Sequence, residues 1–87
     1  MYALVYSPDE LLSSNCSVTL FDSYELAYKE MVELFNENAV SNDYEPLPPD
    51  ERGDVRDKDG YYIGVIWDSE AWLEMTDSKW AIVRMEG

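Results

Sequence analysis

The chain has no histidine, one cysteine, four glycines and only six lysines and arginines among its 87 residues. Each shortage closes off a class of chemistry. Without histidine, neither a Ser-His-Asp nor a Cys-His arrangement can be built. With Cys16 as the one thiol, no intrachain disulfide forms, and a structural zinc site of the usual ligands is excluded. Cys16 also lies in a polar stretch with no basic neighbour to favour a thiolate, so it reads as an unreactive thiol. The glycines are scattered, and none of the common phosphate-cradling spacings occurs. No apolar run approaches the roughly 18 residues of a membrane-spanning helix. The opening run, Met1-Tyr2-Ala3-Leu4-Val5-Tyr6, has no basic start and no cleavage site, and reads as a strand. A cytoplasmic protein with no cofactor and no catalytic group is the expectation.

What is present in excess is acid. Nineteen Asp and Glu against six Lys and Arg give a formal net charge of −13. Solubility of a small domain needs only about 2–8 units. The surplus opposes compaction by self-repulsion. The chain nevertheless carries enough apolar material to fold: 46% of its residues are hydrophobic, with seven Tyr, three Trp and two Phe. A single domain spanning 1–87 is expected, burying roughly 60% of its unfolded surface.

Periodicity sets the elements. Tyr2 to Ser7 is rich in strand formers and stops at Pro8. Asp9 to Asn15 is a polar connection in which Leu11 and Leu12 tuck under the chain. Ser17 to Phe21 alternates as a second strand, paired with the first as a hairpin. Asp22 or Ser23 then caps a helix. Its apolar positions are 24, 27, 28, 31, 32, 35 and 39, one face at helical spacing, fading near 38–42. Residues 41–60 hold Pro46, Pro48, Pro49, Gly53 and Gly60 and read as a long acidic loop anchored by Tyr44, Leu47 and Val55. Tyr61 to Trp67 is apolar on both faces and reads as a central strand. Glu70 to Thr76 reads as a strand, with one turn of helix over 70–75 capped by Ser69 as the alternative, and Lys79 to Met85 is the last strand. The order is β-β-α-β-β-β. It predicts a two-layer α+β domain: an antiparallel sheet of about five strands with one amphipathic helix on one face.

The acids fall into three groups. Glu30, Glu33 and Glu37 form a stripe on the helix. Asp43, Glu45, Asp50, Glu51, Asp54, Asp57 and Asp59 lie in the loop. Asp68, Glu70, Glu74 and Asp77 lie in the last hairpins. Asp57-Lys58-Asp59-Gly60 has the look of a calcium loop, but Val55 and Ile66 occupy the positions where its ligands belong. The helix stripe advances about 5 Å per charge, from the 1.5 Å rise. Duplex DNA presents a charge every 1.7 Å or so. One stripe is therefore too sparse to imitate a duplex, and a second row on the same face is required. The competing account is a solvated acidic exterior serving solubility. Among the aromatics, Tyr24, Tyr28, Trp67 and Trp80 fall on core faces, while Tyr44, Tyr62 and Trp72 are the surface anchors.

In size, acidity and strand-helix-strand plan the chain resembles the small acidic proteins of phages and mobile elements, which include anti-CRISPR and antirestriction inhibitors. Tyr2-Ala3-Leu4-Val5, Leu20-Phe21-Asp22-Ser23-Tyr24-Glu25 and Trp80-Ala81-Ile82-Val83 also resemble small proteins of mobile elements in gut bacteria. These segments are fold positions and transfer no site residue. The resemblance implies a non-enzymatic inhibitor that mimics nucleic acid. It would occupy a basic groove of a nuclease or DNA-binding protein and bind no nucleic acid itself. The expected partner-binding residues are Glu30, Glu33, Glu37, Asp54, Asp57, Asp59, Glu70 and Glu74, with Tyr44, Tyr62 and Trp72. The alternative is an interaction module using an aromatic patch or a sheet edge, with the acidity incidental.

Overall fold

The computed structural model describes residues 1–8 and 16–86, so the reading of residues 9–15 lies outside it. One helix packs on a six-stranded antiparallel sheet. The strands are β1 (Tyr2–Ser7), β2 (Ser17–Phe21), β3 (Asp54–Arg56), β4 (Tyr62–Ile66), β5 (Glu70–Leu73) and β6 (Ser78–Arg84). The helix, α1, spans Tyr24–Ser41. The sheet order is β2-β1-β6-β5-β4-β3. The strand count is six, because the segment expected to be all loop contains β3.

The helix forms where its periodicity says. Ser23, in extended conformation, is the N-cap, and its hydroxyl accepts from the Leu26 N–H. Ala27, Met31, Phe35 and Ala39 are buried along one face. They meet Leu4, Val55, Ile66, Ala71, Leu73, Trp80 and Ile82 from the sheet. Tyr6 stacks on Trp80, and Phe35 tilts against the same ring. Gly64 lets the helix approach: a Cβ there would sit 3.1 Å from the Phe35 ring and 2.1 Å from the Trp72 carbonyl.

β3 is short, and its pairing with β4 is irregular. Val55 lies opposite Gly64, but Arg56 lies opposite Tyr62, so Ile63 is the extra residue of a bulge. The bulge turns Ile63 into the core, where it is 3% exposed, and leaves Tyr62 beside it open to solvent. Simple alternation over Tyr61–Trp67 could not predict this. Val55 fills the core at this end; Leu47, expected as an anchor, is exposed instead. Glu70–Leu73 form β5, so the helical turn capped by Ser69 does not form; a 3-10 turn, Glu74–Thr76, follows the strand instead.

Two turns of one design bracket β3. In Asp50-Glu51-Arg52-Gly53, the Asp50 Oδ1 accepts from the N–H groups of Arg52 and Asp54. In Asp57-Lys58-Asp59-Gly60, the Asp57 Oδ1 accepts from Asp59 and Tyr61. Both turns close with a glycine N–H on the aspartate carbonyl, and both glycines have positive φ, +85° and +90°. The calcium-like tetrapeptide is therefore an aspartate-anchored hairpin turn. No helix of the described residues is long and apolar enough to cross a membrane.

Candidate functional site: an acidic, tyrosine-lined depression

The C-terminus of α1, the β3–β4 hairpin and the 3-10 turn meet at one end of the sheet. Between them lies an open depression of about 680 Å³. Asp43, Asp57, Asp59 and Glu74 line it together with Tyr44, Tyr61 and Tyr62, and among the described residues no Lys or Arg does. The backbone adds to the negative potential. The last carbonyls of α1 carry the negative end of the helix dipole, and its last turn holds no basic residue. Asp43 follows in the left-handed region at φ 67°. Its N–H and that of Asn42 donate back to Val40 and Ala39.

Tyr62 reports the local field. Its phenol is held above the usual range, first by partial burial, then by the charges of Asp54 and Glu74, with Arg56 opposing. The hydroxyl therefore stays protonated as a donor at neutral pH. Three tyrosine rings and several acceptor oxygens in a concave surface suit a cationic group, through charge-assisted hydrogen bonds and cation–π contact.

The expected site residues sort into groups. Tyr44, Tyr62, Asp57, Asp59 and Glu74 come together in the depression, with Asp54 close enough to Tyr62 to raise its pKa. Asp57 differs from the rest: it is 5% exposed, and its Oδ1 accepts from the N–H groups of Asp59 and Tyr61 in its own turn. Glu70 and Trp72 line a second depression of about 430 Å³ with Trp67, Asp77 and Lys79. The Trp72 ring is held there by a 2.9 Å bond from its Nε1 to Asp77. Trp67, expected in the core, is 50% exposed; its Nε1 donates to the Arg52 carbonyl. Glu33 and Glu37 are exposed on α1 and Glu30 is half-buried, and none of the three lines either of these depressions.

Tyr61 was missed as a site residue. The signal was the Asp-x-x-Gly turn just before it, which fixes the chain entering β4. Asp43 stood among the acids of the loop, but its place beside the hairpin depends on where α1 ends. Among the described residues one ion pair forms, Lys58 Nζ to Glu45 Oε1 at 3.3 Å, and both partners are exposed. The lining acids of the depression have no share in it.

Comparison with protein-family models, with curated proteins and with solved structures finds no match.

Proposed function

We propose that this chain is a non-enzymatic binding protein that docks on a basic protein surface. The surface is of the kind that otherwise holds nucleic acid in a nuclease or DNA-binding protein, and docking would inhibit it. The observation that carries the reading is the depression lined by four acidic residues and three tyrosines, with no Lys or Arg among the described lining residues.

Magnitudes divide the labour. An exposed ion pair contributes about 0.2–1 kcal/mol. Asp43, Asp59 and Glu74 together therefore supply at most about 3 kcal/mol, weaker than a millimolar complex. The tyrosine rings must provide the remainder by burying area and stacking on guanidinium or ammonium groups. The −13 net charge acts at longer range, speeding encounter with a cationic surface and repelling free nucleic acid.

Neutralising the depression tests this. Asp59→Asn with Glu74→Gln should weaken binding to an arginine-rich peptide about tenfold, and by no more than about thirtyfold. Glu33→Gln with Glu37→Gln, which removes as much charge from the helix, should cost far less. Equal losses from the two pairs would mean that net charge alone attracts the probe, and the depression would have no special role.

A second reading rests on a separate feature. The sheet face away from α1 presents exposed Val18, Leu20, Val83 and the Trp67 ring. An interaction module could use that face with the acid as bystander. Reversing acids of the depression to Lys would leave such binding intact.

A further inference from the structure

We infer that β2 is a self-pairing edge, joining β2 of a second copy antiparallel about Thr19. The inference is independent of the acidic depression. It starts from the placement of charge. Strands β2, β1 and β6 are neighbours in the sheet and contain none of the 19 acidic residues. In a chain of net charge −13, contact between two copies away from these three strands tends to set carboxylate against carboxylate. The β2 edge does not. Ser17-Val18-Thr19-Leu20-Phe21 has no charge, no proline and no bulge, the devices that keep edge strands from pairing.

The backbone supplies the register. The Met85 N–H donates to the Met1 carbonyl at 2.8 Å. Alternation from that bond directs the odd residues of β1 at β6 and the even ones at β2. On β2, Ser17, Thr19 and Phe21 lie opposite Tyr6, Leu4 and Tyr2 and bond inward. Among the described residues the N–H and C=O groups of Val18 and Leu20 have no strand partner and lie on the outer edge. An antiparallel pair centred on Thr19 sets Val18 opposite Leu20 of the other copy, twice, and uses all four outward groups of each strand. The side chains agree with the backbone. Val18 is 61% and Leu20 55% exposed. They would become apolar cross-strand pairs on the uncovered face, continuous with Val5, Ala81 and Val83.

A five-residue edge is small against the roughly 1,200 Å² that a stable interface buries. The pair therefore exchanges with monomer, and its population depends on concentration and salt. The sign of the salt effect is diagnostic. Screening relieves repulsion between two acidic copies, so pairing strengthens as salt rises. Docking on a basic partner weakens under the same change.

Sedimentation of the full chain over a wide concentration range, at low and high salt, tests the pairing. Dimer that increases with salt is expected. Leu20→Lys and Val18→Lys should each give monomer with an unchanged circular dichroism spectrum. A covalent probe fixes the register: Thr19→Cys in a Cys16→Ser background should form an interchain disulfide under mild oxidation. The Cα atoms across the two-fold would be about 4.5 Å apart, within disulfide reach. The natural Cys16 lies opposite Asp22 of the other copy in this register, and should cross-link poorly. Monomer at every concentration in high salt would overturn the inference. So would a dimer that survives both lysine variants, or cross-linking through the natural Cys16 but not in the Thr19→Cys variant.

Discussion

The two edges of the sheet are built on opposite plans. At the β3 edge the strand is three residues long, carries Asp54 and Arg56, and has its pairing interrupted by the Ile63 bulge. The proline-containing stretch runs beside it: the Leu47 N–H donates to the Arg56 carbonyl at 2.8 Å, and Pro46 bridges to Asp57. Aspartate-anchored turns close both ends. At the β2 edge five uncharged residues stand with Val18 and Leu20 exposed. Acid follows the same division. Residues 43–59 carry seven acidic residues, while β2, β1 and β6 carry none. The β3 end is charged and concave, and β2 is uncharged with Val18 and Leu20 exposed. On the two proposals above, the two ends of one small domain would bind with opposite responses to salt.

That contrast can be broken most forcefully at the β3 end. Asp57→Ala leaves the part-buried N–H groups of Asp59 and Tyr61 without their acceptor, and should cost about 2–3 kcal/mol in chemical denaturation. Asp50→Ala removes the same two bonds from the exposed sister turn, and should cost only about 1 kcal/mol. If the two costs were equal, burial of the second turn would not matter, and β3 would not be held as described. At the β2 end Leu20→Lys touches an exposed side chain, and the stability of the monomer should change by less than about 0.5 kcal/mol. A large loss there would show that β2 is integral to the core.

The smallest effect concerns alkaline pH. The phenols of Tyr24 and Tyr62 are both raised by burial first, then by nearby carboxylates, Asp68 for the former and Asp54 for the latter. The folded state therefore holds these protons more tightly than the unfolded chain. Their contribution is complete below the unfolded phenol value near 10 and disappears as pH rises through the folded value. Tyr62→Phe should lessen the decline in stability above that pH and leave neutral stability nearly unchanged, as a series of melts against pH would show.

Where pattern and structure agree, the pattern is long. The seven apolar positions between Tyr24 and Ala39 repeat over more than four turns, and Ser23 supplies a local cap, so α1 was legible. β1, β2 and β6 alternate or run apolar for five residues or more. β3 was not legible, because three residues between turns have no period, and Val55 is a single buried plug. The bulge at Ile63 was hidden for a related reason: one extra residue reverses the faces of a strand without changing its composition. The acidic groups were plain in the sequence. Which of them share a concave surface was not, because the depression forms where the end of α1 packs near a hairpin some 20 residues on. Asp57 illustrates the confusion. Its place in an acidic run suggests a docking charge, while Asp at the first position of an Asp-x-x-Gly turn equally suggests an acceptor for its own backbone.

If the tyrosine-lined depression binds a cationic protein surface, salt and loss of its acids must both weaken that binding. Titration of the protein with an arginine-rich peptide at about 50 and 500 mM salt, on either side of the physiological ionic strength, tests it directly. Affinity should fall steeply with salt and, at the lower salt, should be about tenfold weaker in Asp59→Asn/Glu74→Gln. Affinity unchanged by salt, or unchanged in that variant, would contradict it.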